Sequence, residues 1–193
     1  MMKDYDSETI IRLLNEPADD RRPLMHELRR SAPAAQLILA LKSSPANSLT
    51  RHLLCDLLGY RRVRSAVPIL VQFLDDPDSS VRSAAAESLG KIEHPSAGEA
   101  LLERLRKEQE IGTRRTLIVS LGAVGFKGAI NFLIESLDDD DDAVRGVAAW
   151  SLGALRARQA RSALTRMLHD ETDSFILNNT RWALAEIGTI DLH

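Results

Sequence analysis

The sequence predicts an all-α chain, a right-handed α-solenoid of about six helical hairpins. Three observations carry that reading. A leucine-glycine pair returns at Leu58-Gly59, Leu89-Gly90, Leu121-Gly122 and Leu152-Gly153, followed by Ile187-Gly188, in steps of 31, 32, 31 and 35 residues. An arginine stands seven residues before the leucine, as Arg51, Arg82, Arg114 and Arg145, with Arg21 in the first copy and Thr180 then Arg181 in the last. No segment alternates β-branched with polar residues as a strand does. Self-similarity at this period marks a stack in which one hairpin cannot bury its apolar face alone.

Each copy opens with a helix carrying leucines four apart: Leu37/Leu41, Leu70/Leu74, Leu101/Leu105, Leu133/Leu137 and Leu164/Leu168. That spacing puts both on one helix face. A polar, acid-rich turn follows, as in Asp75-Asp76-Pro77-Asp78, Asp138 to Asp142 and His169-Asp170-Glu171. Acids there suit the unpaired amides and positive dipole end of the next helix. The column arginine can reach an acid of its own or of a neighbouring turn. Arg82, Arg114 and Arg145 are expected to form a structural ladder of charge-assisted hydrogen bonds, each worth roughly 1.5–3 kcal/mol when shielded.

The second helix runs from Val81 to Leu89 in the third copy, and its glycine fits a left-handed cap. Val81, Ala85, Ser88 and Leu89 share a face taken as the core side, with Ser88, Ser120 and Ser151 as small residues for close packing. The predicted hairpins span 7–31, 33–59, 65–91, 97–123, 128–154 and 159–189, in one repeat domain over 1–193. The last copy is longer by three or four residues, through Thr172 to Asn178 with Phe175, Ile176 and Leu177. It reads as an early helix start capped by Thr172 or Asp173, or as an apolar contact for a partner. A solenoid end needs a cover, which Ile190 and Leu192 could supply by folding back. The alternative is that the C-terminal end docks on another protein or copy.

These residues resemble HEAT-type repeats, in particular the short form of phycobilisome-lyase-like proteins. The best matches run from Leu74 through Arg82 to Leu89-Gly90 and from Leu137 through Val144-Arg145 to Leu152-Gly153. The first copy lacks the glycine, and the fourth carries Lys107-Glu-Gln-Glu110 in place of the Asp-Pro-Asp turn. The resemblance implies a family that includes bilin-attachment factors, assembly scaffolds and interaction modules. It implies no single activity.

In such stacks the second helices line the concave side. The outward columns there read Arg22, His52, Ser83, Arg115, Gly146, Arg181 and His26, Asp56, Glu87, Val119, Trp150, Ala185. Arg115, Val119, Trp150 and Arg181 form the candidate partner-binding ridge, because tryptophan and arginine are enriched at binding hot spots. Trp150 is either an exposed anchor or a filler of the space left by Gly146. Trp182 falls at the inter-repeat position of Ala84 and Val147 and is expected to pack.

Composition narrows the function classes. Net charge is -3, from 25 basic and 28 acidic residues, which argues against an electrostatic nucleic-acid binder. With no apolar run of membrane length and no signal-like start, a cytoplasmic protein without membrane contact is expected. One cysteine excludes an internal disulfide framework. The run Asp138 to Asp142 is no EF-hand, since its sixth and twelfth places are Ala143 and Ala149. His26, His52, Cys55 and Asp56 suggest a metal site only weakly, and Cys55 stands in an otherwise apolar column. No catalytic triad, phosphate loop or metalloprotease motif is present, so no catalytic residue, metal or cofactor is expected. The leading expectation is a non-catalytic adaptor for another protein. A bilin lyase subunit or attachment chaperone is the alternative. A HEAT-like nucleic-acid reader is least supported.

Overall fold

The computed structural model describes residues 5–43 and 47–188. Ile190 and Leu192 lie outside the described residues. Among those described, twelve α-helices and no strand are found, in six successive pairs. The residues gather into two compact units, Met1–Ile92 and Glu93–His193.

The first unit holds α1 (Ser7–Asn15) with α2 (Arg22–Ser31), α3 (Ala34–Lys42) with α4 (Ser48–Tyr60), and α5 (Val67–Phe73) with α6 (Ser79–Ile92). Leu37, Leu41, Leu70 and Leu74 are buried with Val81, Ala85 and Leu89 from α6. The second unit holds α7 (Gly98–Leu105) with α8 (Ile111–Ala123), α9 (Ile130–Glu135) with α10 (Asp142–Ala154), and α11 (Arg161–Asp170) with α12 (Ser174–Gly188). Leu101, Leu105, Leu133, Leu137 and Leu164 form its core, but Leu168 is half-buried and Met167 takes the buried place beside it. From the third copy on, each first helix is entered through a 3-10 turn, at Arg64–Ala66, Pro95–Ala97, Lys127–Ala129 and Arg158–Ala160.

The repeated glycines do not cap their helices. Gly59, Gly90, Gly122 and Gly153 lie within α4, α6, α8 and α10. The left-handed residues come three places later, at Arg62, Glu93, Gly125 and Arg156, with φ of 49°, 55°, 71° and 50°. What the glycines permit is close approach. A Cβ on Gly59 would stand 2.4–2.6 Å from Ser88, and one on Gly122 3.0–3.1 Å from Ser151. The serines answer in kind: Ser88 Oγ donates to the Cys55 carbonyl at 2.8 Å and Ser151 Oγ to the Ile118 carbonyl at 2.9 Å. Helix therefore meets helix across backbone and hydroxyl, with no large side chain between them.

The last copy sits in a different register from the one its glycine suggests. Asp173 accepts from Phe175 N and Ile176 N, as Asp141 accepts from Val144 N. A Cβ on Gly153 would meet Ala183 at 2.7–2.9 Å, where Gly122 meets Ser151. Buried Ile176 and Ile187 match buried Val144 and Leu155. Every match is 32 residues apart. Leu184-Ala185 therefore holds the leucine-glycine place, and Ile187-Gly188 lies a turn beyond it. The extra residues belong to the helix start, capped by Asp173. Leu177, rather than Thr180 or Arg181, occupies the arginine column of this copy.

Three glycine-to-alanine changes should separate close approach from helix propensity. Gly112 has nothing within 4 Å of an added Cβ, so Gly112→Ala should stabilise by about 0.5–1 kcal/mol. Gly59→Ala forces backbone against Ser88 and should destabilise by about 1–3 kcal/mol. Gly122→Ala should fall between them. Urea unfolding of the three variants checks the order.

Candidate functional site

The acid-rich turns are held by arginines from two directions. In the first unit, Arg51 Nε reaches Asp76 Oδ2 at 2.7 Å and its Nη2 reaches Oδ1 at 3.1 Å, with side chains only 11% and 5% exposed. Arg82, on the helix that follows the turn, donates to the Asp76 and Pro77 carbonyls at 2.9 and 3.1 Å. The second unit repeats the arrangement. Arg114 pairs with Asp139 at 2.5 Å, while Arg145 donates to the Asp139 and Asp140 carbonyls at 3.0 and 3.2 Å. Arg145 also reaches Glu171 at 2.9 Å. Each acid in turn accepts backbone amides: Asp76 from Asp78, Asp139 from Asp141, and Glu171 from Thr172 and Asp173. Those amides, with Arg145, hold the Glu171 carboxyl below its usual range. The fourth copy lacks the aspartates, and buried Glu108 fills the role. It accepts from Gln109 N and Glu110 N and pairs with Arg104 at 3.1 Å.

These contacts also account for the aspartate run. Asp138 pairs with Arg166 at 3.3 Å, Asp139 with Arg114, and Asp141 caps α10. Among the described residues, no group of three or more His, Cys, Asp and Glu side chains is placed to hold a metal ion. Cys55 is buried in the core and burial pushes its thiol pKa well up. His26 is exposed. His52 is half-buried and engaged on both ring nitrogens, with Nε2 3.4 Å from Asp56 and Nδ1 3.0 Å from the Ser80 carbonyl. Its hydrogen bond to Asp56 raises its pKa above 6.5.

The candidate ridge lies in the second unit. Arg115 is exposed and Val119 half-buried on α8, Trp150 is half-buried on α10, and Arg181 is exposed on α12. Neither Arg115 nor Arg181 has a side-chain partner among the described residues. The corrected register changes the composition of this face. Trp182 stands one copy on from Trp150, and the two rings stack with centroids 5.9 Å apart and planes 13° apart. Trp182 is 39% exposed and is not the packed inter-repeat residue the sequence suggested. The space over Gly146 is filled by Phe175, whose ring would lie 2.5 Å from an added Cβ, and not by Trp150. Phe175 remains 48% exposed. Asn179 Nδ2 donates to the Gly146 carbonyl at 3.0 Å. Phe175, Asn179 and Trp182 are thus spaced i, i+4, i+7 on one side of α12, against Gly146, Trp150 and Gly153 of α10. The cap at Asp173, 32 residues after Asp141, is the sequence signal that locates this face.

Paired short helices, a turn locked by arginine and acid, and second helices in close contact define a class, the helical-hairpin repeat proteins. The profile of the HEAT repeats matches residues 34–115 and 98–185, and the chain belongs to the HEAT-repeat family. Its similarities lie with the phycobilisome-lyase-like branch. It is 24% identical over 123 residues to the bilin biosynthesis protein PecE of Mastigocladus laminosus, covering 60% of this chain and 46% of PecE. The chain thus spans about half the length of that curated relative. It is similar to a chain of the CpcE–CpcF complex of phycocyanin lyase from Nostoc sp., at TM-score 0.63 and 25% identity, covering 97% of this chain and 78% of that one. Escherichia coli YibA shares the fold at TM-score 0.71 and 20% identity, over 94% of this chain and 70% of that one. Among the described residues no helix is long and apolar enough to cross a membrane.

His52 yields a pH prediction. Its folded pKa is raised, so its stabilising contribution is complete below pH 6.5 and is lost as pH rises through the folded value. Between about pH 6 and pH 8 the wild type should lose more thermal stability than His52→Gln. Melting curves of both proteins across that range check it. Parallel curves would remove His52 as the cause.

Proposed function

We propose that this chain is a non-catalytic adaptor that binds another protein through the second-helix face of residues 93–193. The stacked, partly exposed pair Trp150 and Trp182 carries this reading. Two indoles at one place, flanked by exposed Phe175, give a rigid apolar anchor at little conformational cost. Arg115, Val119 and Arg181 are assigned to the rim. The two arginines have no side-chain partner among the described residues and are available to a partner's carboxylates. The similar CpcE was solved in complex with CpcF, which supports a protein partner.

A second reading shares this face. Flat indole stacks also suit a planar conjugated ligand, and arginines suit carboxylate side groups. With the likeness to PecE and to the CpcE–CpcF complex, this supports a subunit or chaperone of bilin attachment. No acid–base constellation accompanies the stack, so the chain would hold such a ligand and leave the bond-forming chemistry to another subunit.

The test uses Trp182→Ser with Arg115→Glu, two exposed changes that should leave helical content intact. Affinity capture from the source organism is expected to retain one protein on wild type and lose it on the double variant. Equal capture by both baits would overturn the assignment of this face. Titration with a free bilin then separates the readings: a red shift with induced circular dichroism supports pigment handling, and their absence removes it.

A further inference from the structure

The net charge of -3 conceals a strongly basic stretch in the first unit. From Leu28 to Leu74 seven lysines and arginines stand against one acid, Asp56. Five of the seven gather where α2 and α4 end. Arg29 and Arg30 lie in the last turn of α2, and Arg61, Arg62 and Arg64 follow α4 directly. Tertiary contacts draw these two ends together. The Arg29 guanidinium lies over the Tyr60 ring, 4.2 Å from its centroid, and Arg61 Nη1 donates to the Ala32 carbonyl.

Elsewhere the arginines have carboxylates: Arg51 has Asp76, Arg114 has Asp139 and Arg145 has Glu171. Here they do not. Arg29 Nε is buried without a hydrogen-bond partner, and Arg30 and Arg64 are exposed with no side-chain partner among the described residues. Complementing helix C-termini explains why cations are tolerated at this place. It does not explain why counter-charges are missing, since like charges at close range repel one another. Tyr60, 60% exposed, adds an aromatic surface to the arginines.

We propose that this basic edge, with Arg29, Arg30, Arg61, Arg62, Arg64 and Tyr60, docks a carboxylate-rich segment of a protein partner. Guanidinium forks match carboxylates in two-point contacts, and arginine with tyrosine is the composition enriched at protein interfaces. A nucleic acid is the lesser fit. A long polyanion would extend past five charges onto a chain whose remainder is acidic, whereas a short acidic segment would not. This surface lies in the first unit and does not depend on the tryptophan face.

The test measures fluorescence anisotropy of fluorescein-labelled decaglutamate with the full chain at about 20 mM salt, where surface charges are weakly screened. Wild type is expected to bind, and Arg30→Glu with Arg64→Glu to weaken binding by about tenfold or more. Circular dichroism should be unchanged, because both side chains are exposed. Trp182→Ser should bind like wild type, which separates this surface from the other. No binding by wild type, or equal binding by the double variant, would overturn the proposal. So would tighter binding of a ten-residue oligothymidylate than of the peptide, which would assign the edge to phosphate.

Discussion

The fold rests on one recurring contact, an arginine of a second helix against the acid-rich turns. The guanidinium is suited to the task because it is planar and permanently charged and offers several donors at fixed angles. Arg145 uses them in two directions, gripping the carbonyls of its own turn and the carboxylate of Glu171 one copy on. A turn between two short helices would otherwise leave several polar groups with water as their only partner. Here the carbonyls, the amides and the carboxylate are all engaged within the protein. Glu108 shows that the constraint is chemical rather than a matter of one residue type. A longer acid meets the same amides where the aspartates are absent.

A fixed turn fixes where the second helix begins, and that decides which residues meet across neighbouring helices. Gly59 then faces Ser88 and Gly122 faces Ser151, at distances no larger residue tolerates. In the last pair the same geometry places Trp182 and Phe175 against Gly153 and Gly146. Small residues on α10 make room for large rings on α12, and the rings are left partly uncovered. The aromatic face is therefore a product of the packing rule that closes the core elsewhere, applied where one helix supplies bulk in place of serine or alanine.

Much of this was legible in the sequence. The leucines four apart, the arginine column and the acid turns give the helix pairs and the family. The failures have particular causes. The glycines were read as caps because a helix-ending glycine and a close-packing glycine look alike in one dimension. The left-handed places are held by Arg62, Glu93 and Arg156 as well as Gly125, so residue type does not mark them. The last copy was misaligned because Gly188 imitates a signal whose true place holds Ala185. The cap at Asp173 outweighs it. Trp182 was misplaced with it. The engagement of His52 was hidden because Ser80 lies 28 residues away. The basic edge was hidden by a summed charge, which averages over residues that the fold keeps apart.

The arginine grip reaches only to the adjoining turn: Arg51 to Asp76 and Arg114 to Asp139 are each 25 residues apart, and Arg145 to Glu171 is 26. A contact of such short range carries no information about how many copies precede or follow it. A gene segment of about thirty codons could be duplicated or excised in frame, and each remaining guanidinium would still find an acid in the next turn. Copy number is thereby uncoupled from local stability, so a lineage can change the length of its binding surface without first redesigning its core.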